Sequence, residues 1–386
     1  MKVLFISSQA LFRDTRFGGA KRLYYLAKEL DQGTELHVIS LDGAQEWPQM
    51  SPFPQEFKKH LFLSLVSLNS HWRRIFFLPA VRETVWQHRS SIEAFIKDQH
   101  FDATILAYPF SLSFLERDWK RRMGKIIYLE DDFLLENYRK DYLQKAPGVR
   151  KLLKFFRYKR AFYFFKKRLE EVDLFVCISE QEEKVVHSCF PNVPTYILKY
   201  GIPLEDYPYL PEPHEKKTIG FIGNYLHTPN LDGLKWLITE LFPFLLKNEP
   251  AAKLVLAGKN FPSEFIGFCI PSSRIQLLGD VENLEDFYKS IDIFVNPLRE
   301  GRGLRTKVVE AAAFGCPILS TELGAEGLHM LCLSLFANKE QFSREFQLLT
   351  KNPDYSKIRR HNRNKIEVEF SLKRLGYELK ALLAPS

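Results

Sequence analysis

No apolar run in this chain approaches the ~20 residues that a membrane-spanning helix needs. The first residues, Met1-Lys-Val-Leu-Phe-Ile-Ser-Ser8, are too short in their apolar part for a signal peptide and carry no cleavage pattern. They read as the first strand of a sheet. Cysteine is scarce and scattered: Cys177, Cys189, Cys269, Cys316 and Cys332 show no CxxC spacing. That excludes a disulfide framework and a cysteine metal site, and predicts buried free thiols in a reducing cytoplasm. No Asp-x-Asp follows a strand in the second half, the arrangement a metal-dependent site would favour. The adjacent Asp131 and Asp132 would face opposite ways in an extended segment, which is poor for chelation. No metal is therefore expected. A net charge of +8 points to an anionic partner. No recognised nucleic-acid motif accompanies it, so nucleic acid is set aside.

What is present is an alternation of strands and helices. The 386 residues suffice for two domains. In the first half, Lys2 to Ser7, Glu35 to Ser40, Phe101 to Ala107, Lys125 to Leu129 and Leu174 to Ser179 read as strands. A glycine loop at Gly18-Gly19 leads into an amphipathic helix from Ala20 to Leu30, and Ser179 is placed to cap another. Four prolines between Pro203 and Pro213 mark a boundary. The pattern then restarts with strands at Thr218 to Ile222, Lys253 to Ala257, Ile275 to Leu278, Ile291 to Val295 and Pro317 to Ser320. Repeated β-α alternation predicts α/β architecture: two Rossmann-like doubly wound domains facing across a cleft, with ligands at the carboxyl ends of the strands.

The most informative stretch runs from Asn296 to Thr321. A buried strand is followed by Gly301 and Gly303, then by a helix from about Thr306 to Phe314. A glycine turn feeding a helix N-terminus offers backbone N–H groups and a positive dipole end to a phosphate. Arg305 and Lys307 add two cations, which suits a diphosphate. Glu310, one turn in, could accept hydrogen bonds from sugar or ribose hydroxyls. Together they describe a site for a nucleotide sugar.

These segments resemble retaining glycosyltransferases of the two-Rossmann-domain (GT-B) type, family 4-like, in a subgroup of bacterial polysaccharide and glycoconjugate pathways. The resemblance is carried by Gly223-Asn-Tyr-Leu-His-Thr-Pro-Asn-Leu-Asp-Gly-Leu-Lys-Trp236, Leu254 to Gly258, Leu278-Gly-Asp-Val281, Asn296 to Thr321 and Gly324-Ala-Glu-Gly-Leu328. In the first half it rests on Gly18-Gly-Ala-Lys-Arg-Leu23, Ile178-Ser-Glu180 and Lys199-Tyr-Gly-Ile202. It is dense over about 174 to 328 and thin over about 41 to 173. It implies an N-terminal acceptor-side domain over 1–205, a nucleotide-sugar-binding domain over 214–365, and a helix in 366–386 packing back toward the first domain. It also implies a metal-independent hexosyltransferase-like enzyme, retention of configuration, a nucleotide-diphosphate sugar as donor, no cofactor, and a glycan or lipid-linked acceptor. Donor contacts are expected from Gly18, Gly19, Gly223, Asn224, Gly301, Arg302, Gly303, Leu304, Glu310 and Glu326.

Two departures stand out. Arg302 occupies the place where the wider family has the first of two glutamates, the second being Glu310. Asn224 and Pro229 stand where it has an arginine and a lysine, so Arg305 and Lys307 are expected to neutralise the diphosphate instead. As leaving-group charge develops, such cations stabilise it, which makes Arg305 and Lys307 catalytic candidates. Glu130 and Asp131, at a strand end, are candidates for stabilising an oxocarbenium-like centre or orienting an acceptor hydroxyl. The family's histidine near that strand is absent; Tyr108-Pro109 follows instead. A nucleotide-sugar 2-epimerase and a non-catalytic nucleotide-sugar-binding subunit are the alternatives.

One further segment stands apart. Arg150 to Arg168 holds nine Lys/Arg, seven aromatics and no acidic residue. It reads either as a helix on an anionic membrane surface or as a packing helix with solvated cations. The patch His71-Trp-Arg-Arg-Ile-Phe-Phe77 has the same character. The expected location is cytoplasmic, peripheral to the inner face of the membrane on the first reading.

Overall fold

A computed structural model describes residues 1–9, 11, 18–42, 57–64, 84–115, 117–131, 133–144, 148–211, 217–269, 273–301 and 305–384. Arg302, Gly303, Leu304, Asp132 and the patch from His71 to Phe77 lie outside the described residues. The chain divides into two compact units. The first combines 1–202 with 372–386, and the second spans 203–371.

In the first unit, seven strands among the described residues form one parallel sheet in the order β3-β2-β1-β4-β5-β6-β7. They are β1 Lys2–Ser7, β2 Glu35–Asp42, β3 His60–Ser64, β4 Ala103–Ala107, β5 Lys125–Leu129, β6 Leu174–Cys177 and β7 Thr195–Ile197. Side chains alternate between its two faces, as a strand's period of two requires. Val3, Phe5, Ile105 and Ile127 enter one core, with Leu23, Leu26 and Leu30 of the Gly18–Asp31 helix. Leu4, Ile6, Leu106 and Tyr128 enter the other. Both faces are covered, which is why these strands read as near-continuous apolar runs. Leu372, Leu375, Leu379 and Leu383, at helical spacing on the Leu372–Leu383 helix, join the first of these cores. There Gly376 lets the backbone approach the side chain of Glu29.

In the second unit the order is β10-β9-β8-β11-β12-β13, again all parallel among the described residues. The strands are β8 Thr218–Ile222, β9 Lys253–Ala257, β10 Ile275–Gly279, β11 Ile293–Asn296, β12 Ile318–Ser320 and β13 Leu333–Leu335. One face packs on Leu234, Leu237, Leu241 and Leu245. These lie on a helical run that passes from α-helix (Thr228–Trp236) through one π turn (Leu237–Leu241) back to α-helix (Phe242–Asn248). Pro243, which has no N–H to give, sits just past the π turn.

The proline-rich segment is tethered, contrary to its linker-like composition. Tyr207 and Leu210 are buried. Arg359, itself buried, donates to the carbonyls of Leu210 (2.8 Å) and Gly315 (2.6 Å). Arg363 donates to the carbonyls of Tyr207 and Ala313. The expectation of uniformly buried thiols is corrected as well. Cys177 and Cys316 are buried, but Cys189 is half-buried and Cys332 is exposed. No helix among the described residues is long and apolar enough to cross a membrane.

Candidate functional site

In each sheet the strand order reverses direction at one place: between β1 and β4, and between β8 and β11. Loops leaving the carboxyl ends there diverge, and open α/β sheets bind ligands at such points. In the second unit the diverging loops are Gly223-Asn224 after β8 and Pro297 to Gly301 after β11.

Several contacts knit these loops together. Gly301 adopts φ +104°, a region that favours glycine, and a side chain there would press on Pro229 at 3.0 Å. Arg305 precedes the Thr306–Ala313 helix and is buried. Its guanidinium donates to the carbonyls of Leu323 (3.0 Å) and Gly301 (3.1 Å), and lies 3.4 Å from the Glu326 carboxylate. Burial pushes its pKa down, opposed by Glu326. Two residues on, the Lys307 ammonium donates to Asn230 Oδ1 at 2.7 Å and lies 5.3 Å from the centre of the Phe221 ring. Its Nζ lies 3.0 Å from where a side chain on Gly223 would begin. Burial pulls the Lys307 pKa down to about 8, with Glu310 opposing. Asn230 Nδ2 in turn donates to the Asn224 carbonyl at 2.8 Å. Two hydrogen-bonded groups result, Arg305 with Gly301 and Glu326, and Lys307 with Asn230 and Asn224, and they come near each other where Gly301 meets Pro229, the residue before Asn230.

Glu310 lies one turn further along the helix. The Tyr207 hydroxyl reaches its Oε1 at 3.5 Å, delivered by the tethered proline-rich segment. Asp232 and Arg299 form a two-pronged ion pair (2.7 and 3.0 Å), and Arg299 stacks on Trp236 at 4.7 Å. This pins the loop after β11 to the helix after β8. Sequence reading named neither Asn230 nor Tyr207 as a site residue. Asn230 was legible only as part of the Pro-Asn-x-Asp segment, and Tyr207 carried no signal.

In the first unit, Gly18 and Gly19 open the Gly18–Asp31 helix as expected of a glycine loop. Arg22 does not face solvent. It is buried, pairs with Asp131 and donates to the Leu198 carbonyl at 3.2 Å. Tyr108, at the end of β4, has φ +65°, strained for a bulky residue. Its hydroxyl donates to the second Asp131 oxygen at 2.6 Å. Glu130 and Asp131 differ sharply. Glu130 is buried, one oxygen accepting from the Tyr128 hydroxyl (2.7 Å) and the other from the Leu134 backbone N–H (2.9 Å). That holds the start of the Leu134–Leu143 helix. The Asp131 side chain keeps 18% exposure.

Residues 216–352 match the family model described as glycosyl transferases group 1. The chain is 25% identical over 248 residues to an uncharacterized 44.6 kDa protein of the cps region of Klebsiella pneumoniae, covering 62% of each. It is 27% identical over 155 residues to the lipopolysaccharide core biosynthesis mannosyltransferase LpsB of Rhizobium meliloti, covering 36% of this chain and 43% of LpsB. The chain therefore spans less than two thirds of the length of either relative. Among solved structures, WaaG, a glycosyltransferase involved in lipopolysaccharide biosynthesis, matches with TM-score 0.63, 13% identity and full coverage of both chains. Anabaena HepE, in complex with UDP and glucose, matches with TM-score 0.61, 11% identity and 99% of each chain. Residues 216–352 are thus similar to glycosyl transferases group 1, in a chain whose fold of two Rossmann-like units is that of GT-B structures.

Proposed function

We propose that the protein is a glycosyltransferase moving a sugar from a nucleotide-diphosphate sugar to a glycan or lipid-linked acceptor, with retention and without a metal. The observation that carries this is the convergence of Arg305, Lys307, Gly301 and the Gly223-Asn224 turn where β8 and β11 diverge. The relatives and neighbours support it: one is a mannosyltransferase of lipopolysaccharide core biosynthesis, and another was solved with UDP and glucose.

In this reading the diphosphate lies against Arg305 and Lys307. As the bond from the sugar's anomeric carbon to the diphosphate breaks, negative charge grows on the leaving oxygen. Fixed cations in a partly buried setting stabilise that charge without reorganising. They supply the positive charge that a metal supplies elsewhere, so activity persists in a chelator. Glu310, steadied by Tyr207, accepts from the ribose hydroxyls. Glu326 keeps Arg305 oriented until the diphosphate displaces it as partner. In the first unit we assign Asp131, rather than the internally engaged Glu130, to orienting the acceptor hydroxyl. Arg22 and Tyr108 hold that carboxylate in place.

The test is release of nucleoside diphosphate from a panel of UDP-, GDP- and dTDP-sugars with and without glycolipid acceptors. Arg305→Ala and Lys307→Ala should each weaken donor binding about tenfold or more, as loss of a hydrogen bond to a charged group does. Unchanged affinity in both variants refutes the diphosphate assignment. Donor binding without turnover on any acceptor favours the non-catalytic subunit. Interconversion of the donor's sugar without transfer favours the epimerase.

A further inference from the structure

The Val149–Leu169 helix offers two readings in sequence, packing or membrane contact, and the structure separates its residues between them. At 100° per residue, Ala161, Phe165 and Leu169 share one face, and all three are buried. There Phe165 meets Phe133 edge-on at 5.3 Å, and Phe162, at the border, stacks on Phe190 at 5.4 Å. Four of the seven aromatics, Tyr158, Phe162, Phe164 and Phe165, thus belong to that core or pack on it.

The opposite face is not. Val149, Leu152, Leu153, Phe156 and Tyr163 point outward, between 41% and 75% exposed. Interleaved with them on that face are Lys159, Arg160, Lys166 and Lys167, all exposed. Cations nearer the core are engaged within the protein: Lys154 with Asp141 (2.6 Å), Arg168 with Glu171 (3.1 Å) and Arg157 on the Tyr138 ring (4.1 Å). The neighbouring Leu134–Leu143 helix, which packs against this one, ends in another exposed leucine, Leu143.

An ordinary solvated face carries mixed charges and few large apolar groups. This one carries large apolar groups, cations, and no acidic residue from Val149 to Leu169. Its complement is a surface that is anionic outside and apolar just beneath. Nucleic acid meets the first condition only. A phospholipid interface meets both, and a helix lying in its plane with snorkelling lysines is the matching geometry. We propose that this outward face is a docking surface for an anionic lipid bilayer, with Leu152 and Phe156 inserted below the headgroups and Lys159, Lys166 and Lys167 among the phosphates. The proposal does not depend on the donor site.

Flotation of the full chain with vesicles tests it. Vesicles of phosphatidylcholine containing about one third phosphatidylglycerol should bind the protein, and pure phosphatidylcholine at least about tenfold more weakly. Raising salt to about 0.5 M should release most of it. The double variant Leu152→Glu/Phe156→Glu should lose at least about tenfold in vesicle affinity. The triple variant Lys159→Glu/Lys166→Glu/Lys167→Glu should lose as much and flatten the salt dependence. Leu348→Glu, an exposed leucine of the second unit (58%), should bind as the parent does. All substituted side chains are exposed, so thermal unfolding should be unchanged. The proposal fails if the parent protein ignores anionic vesicles, or if either variant binds them as the parent does. It also fails if Leu348→Glu loses as much. A parent dimer that Leu152→Glu/Phe156→Glu dissociates, with no vesicle binding, would make this face a contact between copies instead.

Discussion

Lys307 carries a cost in the free protein that the proposed contact with a diphosphate would offset. Its pKa is about 8 in the folded chain against 10.5 when solvated. Between those two pH values the unfolded chain holds the proton and the folded chain does not, so stability rises with pH across that window. Below about pH 8 the penalty is fully present. With its residual solvent access discounted, it is on the order of 2 kcal/mol. Lys307→Met should therefore raise the melting temperature of the ligand-free protein at pH 7 while weakening nucleoside diphosphate binding. In the parent, that binding should decline as pH rises through about 8; in Lys307→Arg it should stay level, because arginine remains charged. Thermal shift and titration calorimetry at several pH values check both. Arg305 and Lys307 were legible because residue type, glycine turn and helix start lie together in sequence. Asn230 and Tyr207 were not, since each reaches the site only through a fold contact, 77 and 103 residues from its partner.

At the scale of elements, strands flanked on both faces by core announced themselves as apolar runs. Three edge or near-edge strands, His60–Ser64, Thr195–Ile197 and Leu333–Leu335, did not. They are short, and Thr195–Ile197 and Leu333–Leu335 are only partly buried, so pairing with a neighbour rather than their own periodicity makes them strands. The proline-rich segment misled for a related reason. Its composition is that of a linker, yet carbonyl groups within it are held by arginines of the Tyr355–Glu369 helix. Replacing Arg359 by Ala removes the donor held by the Leu210 and Gly315 carbonyls. It should cost the second unit about 3 kcal/mol, within the range for breaking a buried charged hydrogen-bond cluster, and denaturant unfolding should report it. Because the same segment carries Tyr207, affinity for nucleoside diphosphate should fall with it.

For the whole molecule, the two-unit α/β architecture followed from the repeated β-α alternation, and the Leu372–Leu383 helix belongs to the first compact unit. Leu379 is fully buried among the first unit's strands and the Gly18–Asp31 helix. Leu379→Ala should destabilise the first unit by about 2–5 kcal/mol, as deletion of a buried leucine side chain does. Scanning calorimetry should show one transition moving down while the transition responsive to nucleoside diphosphate stays in place. The allocation also bears on the order in which the protein matures on the ribosome. Synthesis ordinarily lets N-terminal domains fold first. Here residues 203–371 are all translated before Leu372–Leu383. The unit that begins the chain must wait, with part of an apolar core still open to water, while the later-starting unit completes its own. Nascent chains arrested near residue 371 should therefore present a finished second unit beside an unfinished first one, the reverse of simple vectorial folding.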